Sequence, residues 1–333
     1  TTMLDPFQKR YGPRVAAWLY VPALMGEVFW TAAILTALGV SFEVIAGIPF
    51  MPGVILSAIV AMAYTARSGL WAVAITDVVQ LTLLLIGLST AAWFAIVEVG
   101  GVSLAWTAYS TSEIAQAPTP WIPWLDAALL LICGGIPWHA YFQRVLATKS
   151  PSDARRMSLW AGGLSLTAAI PAMAIGVVGV SVNWSQLIGS DPDAAMILPL
   201  VLRYLTSPIV ATLGLTAMAA AVMSSVDSSI LSASSMATWN INRPLLKPEA
   251  TSTDLKRIIR RLIIIVGCTA TLIALNTRSV YSLWFLSSDF VYCILFPQLT
   301  TALFDRRANR YGSIAGLAVS FTLRVGGGEP VLG

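Results

Sequence analysis

The sequence is poor in charged residues. Only 11% of its 333 residues are Asp, Glu, Lys or Arg, whereas 57% are hydrophobic. A typical soluble domain carries about 25% charged residues, so the charges present here are too few to cover the surface of a soluble particle. The composition therefore excludes a water-soluble enzyme, a nucleic-acid-binding protein and a disordered chain, and it indicates a protein that lies in the lipid bilayer.

Histidine and paired cysteine are also scarce. His139 is the single histidine, and Cys133, Cys268 and Cys293 lie in apolar stretches without a paired spacing. We therefore expect packed thiols rather than disulfides or metal ligands. A membrane-embedded enzyme would need a nucleophile–base pair or a metal-binding motif of the HExxH type, which one histidine does not supply. We expect no enzymatic activity and no organic cofactor.

Long apolar runs are what the sequence has in abundance. Their length of about 20 residues is what an α-helix needs to cross a hydrocarbon core of about 30 Å. The alternating pattern of a membrane barrel is absent, so helices must satisfy the backbone inside the bilayer. We predict an all-α polytopic membrane protein with eight spans and a ninth that begins near residue 312: 14–39, 44–66, 71–97, 124–146, 157–182, 208–240, 258–277 and 280–304.

The basic residues indicate the orientation of these spans. Nearly all of the 20 Lys and Arg residues fall on one set of alternate connections, whereas the opposite set contains Arg203 and Arg278. By the positive-inside rule, the first residues are cytoplasmic. Residues 241–257 then form a cytoplasmic basic loop, and residues 183–207 form an extracellular loop with a short helix near 193–206. Asn183 begins a glycosylation pattern in that external loop.

Acidic residues inside apolar spans usually mark function, because a buried charge is costly there. Five such residues are present: Glu27, Asp77, Asp126, Asp227 and Asp289. For the three that lie near span ends, namely Asp77, Asp126 and Asp289, an interfacial position or a hydrogen bond to a neighbouring helix is favoured over a functional role. Glu27 and Asp227 sit deeper, which favours a functional role for both.

The densest polar cluster lies in the sixth span. Ser224, Ser225, Asp227 and Ser228 stand at positions i, i+1, i+3 and i+4, so most of them share one helix face. Hydroxyl and carboxylate oxygens suit a hard cation such as Na⁺. Serines alone would also suit a seam where two helices pack closely, but the carboxylate favours the cation site.

Residues 134–138, with the sequence GGIPW, interrupt the fourth span. Two glycines and a proline predict either a broken helix, which marks substrate sites in inverted-repeat transporters, or a simple proline kink. Trp138 lies at this interruption, and Trp30 lies one turn beyond Glu27. Tryptophan is the best aromatic face for a quaternary ammonium, although tryptophans also form interfacial belts. The residues alone indicate a small organic cation as the ligand.

Several segments together resemble the sodium:solute symporter family. Four short motifs carry this likeness: TMLDPF at 2–7, PALMGE at 22–27, YT at 64–65 and TDVVQL at 76–81. Four others are similar to the choline-transporting branch of that family: GGIPWHAYFQRVL at 134–146, AVMSSVDSSILSASSM at 221–236, LSSD at 286–289 and GGEP at 327–330. The likeness extends in order over nearly the whole chain.

The resemblance implies a leucine-transporter-like fold of two inverted five-helix repeats, with substrate and sodium between discontinuous helices. The eight spans would correspond to core helices three to ten, and the fourth span to the broken sixth. The whole chain, 1–333, would be one transmembrane transporter domain. The two core helices expected before Thr1 are absent from the sequence, so we expect an incomplete copy.

The resemblance also implies the binding residues. The main sodium site would use the Ala221 carbonyl and the hydroxyls of Ser224 and Ser225. A further sodium site would use Asp227 and Ser228.

For the substrate, the resemblance implies a choline cage formed by Trp30 and Trp138, with Tyr141 or Trp284 as further candidates. It implies sodium-coupled, chloride-dependent, high-affinity uptake of choline across the plasma membrane, which supplies acetylcholine synthesis at cholinergic terminals. No residue for chloride is identified. A sodium symporter of a sugar, proline or a vitamin, or a channel, are the alternatives, and Trp138 favours choline because it is apolar and aromatic.

Overall fold

The structure, a computed structural model, describes residues 2–326, and it describes side chains in that range except those of residues 68–72. The GGEP motif at 327–330 lies outside the described residues. The described chain is helical and contains no strand. Fifteen α-helices follow one another along residues 2–326: α1 (Asp5–Tyr11), α2 (Pro13–Ser41), α3 (Phe50–Glu98), α4 (Val102–Ser110), α5 (Glu113–Gln116), α6 (Trp121–Gly135), α7 (His139–Leu146), α8 (Pro151–Val180), α9 (Trp184–Ile188), α10 (Ala194–Leu205), α11 (Pro208–Ala237), α12 (Ser252–Asn276), α13 (Val280–Phe290), α14 (Phe296–Phe304) and α15 (Arg310–Gly326).

The helices agree with the spans predicted from hydropathy. Seven helical stretches of the described chain are long and apolar enough to cross a membrane, and the number rises to eight if the bent pair α6 and α7 forms one span. Three stretches of π-helix continue or join these helices, at Phe42–Ala46, Thr238–Leu246 and Val291–Leu295. The ninth predicted span corresponds to α15, a helix of 17 residues. The chain is a multi-pass membrane protein.

Helix α3 contains two predicted spans, and they lie side by side. Its apolar parts are Phe50–Arg67 and Val73–Glu98. The hydroxyl of Tyr64 lies 2.6 Å from that of Thr76, although a straight helix would separate residues twelve positions apart by about 18 Å. The chain must therefore reverse between Tyr64 and Thr76, and the two halves form an antiparallel hairpin as the sequence predicted.

Helix α11 lies at the centre of the bundle, where it packs against α2, α3 and α12. Ala217, Ala220 and Ala233 are buried along it, as are Val226 and Ile230. Small side chains allow helices to approach closely where lipid offers no hydrophobic driving force. Because its serines and Asp227 also lie on this central helix, the most polar segment of the sequence is held inside the protein.

Two segments that connect spans are more helical than a plain loop. In the predicted external loop, 183–207, the chain forms both α9 and α10. In the predicted basic loop, 241–257, π-helix continues to Leu246 and α12 begins at Ser252. The early start of α12 has a local cause, because Thr251 and Asp254 cap it reciprocally. The residues that remain between these two helices are 247–251.

Candidate functional site

The interruption in the fourth span is a broken helix. Helix α6 ends at Gly135, α7 begins at His139, and the two axes differ by 40°. Gly134 lies so close to α13 that a Cβ atom on it would be 3.1 Å from the Ser288 carbonyl oxygen. The glycine therefore brings the break against the neighbouring helix, and Pro137 cannot donate a backbone hydrogen bond across it.

The two tryptophans predicted for the cage meet at this break. The ring centroids of Trp30, on α2, and Trp138, at the start of α7, are 6.0 Å apart with an interplanar angle of 79°. Both side chains are partly exposed. Two rings at nearly a right angle form adjacent walls of a box, and each keeps one face that does not touch the other ring.

Gly26 makes room for this arrangement on α2. A Cβ atom there would lie 2.7 Å from Val291 Cγ2, 3.1 Å from the Ser287 carbonyl oxygen and 3.6 Å from the ring of Trp138. Any larger residue must displace α13, the following π-helical segment or the ring itself. The close approach of α2 to its neighbours thus depends on the absence of a side chain at position 26.

We expect Gly26→Ala to destabilise the protein by about 1–3 kcal/mol, because overpacking a tight contact forces backbone shifts. The matched control is Gly162→Ala on α8, where a Cβ atom would meet nothing within 4 Å. That control should be neutral or stabilising by about 0.5–1 kcal/mol, since alanine favours a helix over glycine. Thermal unfolding in detergent measures both; a neutral Gly26→Ala would contradict the tight packing.

The structure places the other two cage candidates differently. Tyr141 is exposed on α7, and its hydroxyl lies 2.6 Å from that of Ser158 on α8. Trp284, on α13, is partly buried and contacts Tyr281 and Phe285 edge to face or nearly so. Neither contact joins these residues to the pair at the break. Their role in the cage stays a prediction.

The serine-rich face of α11 meets two charged residues from other helices. Asp77, on the second arm of α3, accepts a hydrogen bond of 2.5 Å from Ser224 Oγ and one of 2.6 Å from Arg144. The same guanidinium donates to Ser228 Oγ at 2.9 Å. Asp77 and Arg144 therefore lie directly against the residues predicted to bind sodium. Neither position was predicted from the sequence.

Asp227 is the least satisfied group of this cluster. Its side chain is fully buried, and neither carboxylate oxygen has a hydrogen-bond partner of normal geometry among the described residues. The adjacent hydroxyl of Ser228 is engaged by Arg144. A buried carboxylate without a partner costs several kcal/mol unless a cation or a proton compensates it. Ala221 and Ser225 lie partly exposed near the same stretch of α11.

The remaining intramembrane acids have distinct surroundings. Asp289, on α13, forms an ion pair with Arg324 of α15 and accepts a hydrogen bond from the Cys293 thiol, which fits a link between neighbouring helices. Asp126 is exposed on α6. Glu27 is buried between α2 and α11, where Ser229 and Ser232 donate to it.

Sequence reasoning missed Arg144 because it was counted with the cytoplasmic basic residues. One signal was available: Arg144 follows Trp138 by six residues and lies in the last turn of the short helix α7, so it could reach back into the bundle. Ser229 and Ser232 were missed as partners of Glu27 because nothing in a single sequence reports a contact between residues about 200 positions apart.

Comparisons with known proteins extend these observations. The chain matches the sodium:solute symporter family over residues 1–320. It is 44% identical to the high affinity choline transporter 1 of Homo sapiens over 99% of this chain and 59% of the human protein. It is also 44% identical to the high-affinity choline transporter 1 of Caenorhabditis elegans, over 99% of this chain and 60% of that protein. The chain thus spans less than two thirds of the length of these relatives.

A solved structure has the same fold. It is the substrate-bound, outward-open state of a Na⁺-coupled sialic acid symporter, which aligns with 98% of this chain and 71% of its own with a TM-score of 0.78 and 21% sequence identity. The likeness confirms the predicted all-helical symporter fold.

Proposed function

Because the chain belongs to the sodium:solute symporter family, as its motifs predicted, we propose that it binds choline and takes part in sodium-coupled choline uptake across the plasma membrane. The observation that carries this proposal is the contact between Trp30 of α2 and Trp138 at the start of α7, whose ring centroids are 6.0 Å apart. The names of relatives that are 44% identical to it support the same solute.

The chemistry of the aromatic pair suits a quaternary ammonium. Such a cation has no N–H to donate and is recognised by the faces of aromatic rings, which contribute about 2 kcal/mol or more when desolvated. Two perpendicular tryptophans offer two faces to one cation. Tyr141 and Trp284 are further candidates for the cage. A sugar would instead need several polar partners at the break, and each indole ring offers only its single N–H donor.

Sodium is proposed to bind on the serine-rich face of α11. The partnerless carboxylate of Asp227 supports a cation there, with the Ala221 carbonyl and the hydroxyls of Ser224, Ser225 and Ser228 as oxygen ligands. Asp77 lies within hydrogen-bond distance of Ser224 and adds a second negative charge. An inward potential contributes about 2.3 kcal/mol per charge per 100 mV to sodium entry. The energy that drives uptake would come from this step.

The mechanism follows from where the two sites lie. Trp138 and Arg144 both belong to the half-helix that follows the break, and Arg144 shares Asp77 and Ser228 with the proposed sodium site. A cation beside Asp77 would weaken the hold of its carboxylate on Arg144. We propose that sodium thereby positions α7, and with it the ring of Trp138, for the substrate.

The location of the protein completes the proposal. We place its first residues in the cytoplasm and the loop 183–207 outside, on the distribution of Lys and Arg. Asn183 is exposed and caps α9 through its amide oxygen, which leaves its amide nitrogen to carry a glycan. Chloride dependence and a presynaptic location in cholinergic neurons are part of the proposal through the family branch alone.

Uptake of radiolabelled choline into cells tests the proposal. The chain should be expressed alone and with an N-terminal extension taken from the matching part of the human relative, in external sodium and then lithium. We expect saturable uptake in sodium, abolished in lithium, with excess unlabelled choline competing and proline or glucose not competing. Surface expression without such uptake in either form, or currents without saturation, would overturn it.

A further inference from the structure

Glu27 is a buried acid that the proposed transport mechanism does not use. It lies on α2 one turn before Trp30, and 2% of its surface is exposed. Two serine hydroxyls of α11 contact its two carboxyl oxygens: Ser229 Oγ is 2.5 Å from Oε2, and Ser232 Oγ is 2.6 Å from Oε1. Glu27 thus joins the helix that carries a cage tryptophan to the helix that carries the proposed sodium residues.

No positive charge compensates Glu27. Among the described residues no ion pair reaches it. Arg14 lies at the start of α2, Arg67 at the end of the first apolar stretch of α3, and Lys256 and Arg261 within the first ten residues of α12. Other ionisable groups on the neighbouring elements are acidic, neutral or engaged elsewhere. On α2 the hydroxyl of Tyr20 donates to the Ala233 carbonyl, and on α11 Asp227 is itself acidic. Five further contacts engage ionisable groups: Asp77 of α3 with Arg144 of α7, His139 of α7 with the Met3 backbone N–H, Asp289 of α13 with Arg324 of α15, and, at the start of α12, Asp254 with Arg257 and Arg260 with the Ala66 carbonyl.

The hydroxyl protons around Glu27 can be counted against the contacts. Five oxygen–oxygen contacts join Glu27, Thr31, Ser229 and Ser232, and two of them are the contacts to the carboxyl oxygens given above. The backbone carbonyl oxygen of Glu27 lies 2.8 Å from Thr31 Oγ1 and 3.0 Å from Ser229 Oγ. Thr31 Oγ1 and Ser229 Oγ are 3.1 Å apart. The three hydroxyls supply one proton each. If the carboxylate is ionised, Ser229 must donate its one proton to Oε2. Ser229 Oγ and the backbone carbonyl oxygen of Glu27 then face each other at 3.0 Å as two acceptors with no hydrogen between them.

A proton on Glu27 removes this conflict. The acid on Oε2 donates to Ser229 Oγ, Ser229 donates to the Glu27 carbonyl oxygen, Thr31 donates to either acceptor, and Ser232 donates to Oε1. A metal ion does not fit instead, because oxygens 2.5–2.6 Å apart share a hydrogen and leave no space for a cation between them. Distances of this length also occur in hydrogen bonds to an ionised carboxylate. The argument for a protonated Glu27 therefore rests on the count of hydroxyl protons and on the lack of a paired positive charge.

We propose that Glu27 with Ser229 and Ser232 is a proton-binding site between α2 and α11. The site holds one proton on the Oε2 oxygen while the two helices are packed as here. When they separate and water enters, the O–H bond breaks, the proton passes to water, and the carboxylate that remains is solvated. Its ligand is the proton, and the site does not depend on which solute the protein carries.

Infrared difference spectroscopy of the purified full chain in lipid tests the site. A protonated acid gives a C=O stretching band that an ionised carboxylate lacks. We expect this band at neutral pH in the wild type and its loss in Glu27→Gln, which keeps the shape and an acceptor for Ser232. Glu98→Gln, the same change at an exposed position at the end of α3, should retain the band.

A second variant keeps the test informative if Glu27→Gln does not fold. Ser232→Ala removes the donor to Oε1, so the C=O band should remain and move to higher frequency. A spectrum in which the wild type and Glu27→Gln carry the same acid band, or one that loses a carboxylate band instead, would overturn the proposal. So would an unshifted band in Ser232→Ala.

Discussion

Asp227→Ala is expected to remove most of the sodium dependence of uptake. The carboxylate is fully buried, and neither of its oxygens has a hydrogen-bond partner of normal geometry among the described residues, so the proposed sodium ion would compensate its charge. Hydrogen-bonded or ionic contacts to a charged group contribute about 1.5–3 kcal/mol, which corresponds to a loss of apparent sodium affinity of at least tenfold. Asp227→Asn should give a similar loss because it also removes the charge.

The control for this change is an acid of the same type outside the bundle. Asp193 is exposed at the start of α10 and makes no capping hydrogen bond with its side chain, so Asp193→Asn should leave sodium dependence intact. The measurement is the initial rate of uptake as a function of external sodium at fixed substrate. If Asp227→Ala kept its sodium dependence but lost substrate affinity, the residue would belong to the substrate pocket.

Trp138→Ala is expected to weaken choline binding by about 30-fold, the equivalent of the roughly 2 kcal/mol that a desolvated cation gains from a tryptophan face. The loss should fall on substrate affinity, because the indole ring contacts Trp30 and lies close to Gly26 at the break. Trp138→Tyr should recover part of the affinity, since a phenol ring still offers an aromatic face.

Competition binding with radiolabelled choline in membranes measures these affinities. The matched control is Trp124→Ala, because Trp124 is 61% exposed on α6, outside the break, and it is expected to bind choline like the wild type. Unchanged affinity in Trp138→Ala would refute the aromatic cage. An equal loss in Trp124→Ala would show that the effect comes from stability rather than from a binding face.

The spans and the break could be predicted from the sequence because both depend on local patterns. Length and hydropathy determine which segments cross the bilayer, and Gly134, Gly135 and Pro137 interrupt a helix wherever they occur together. The reversal within α3 also followed from hydropathy, since one helix of 49 residues exceeds what the hydrocarbon core accommodates. These predictions used no contact between distant residues.

The partners of the polar residues could not be predicted in this way. Asp77 meets Ser224 across 147 positions and Arg144 across 67, and a single sequence carries no signal for such contacts. Arg144 is the clearest example. Its charge was interpreted as a topology signal, whereas its side chain contacts the carboxylate of Asp77 inside the bundle. The pairing of Trp30 with Trp138 was anticipated through resemblance to a family, not through the pattern of the residues.

The two sets of contacts on α11 limit how this helix can move. Ser224 and Ser228 face the hairpin and α7, whereas Ser229 and Ser232 face α2, about a quarter of a turn away around the axis. Rotation by one residue, about 100°, would bring Ser228 to the position of Ser229 and turn Ser229 toward α12. Arg144 and Asp77 would then lose their hydroxyl partners. An apolar helix without such contacts could rotate between its neighbours, whereas α11 can move only if α2 and the hairpin move with it or if these hydrogen bonds break.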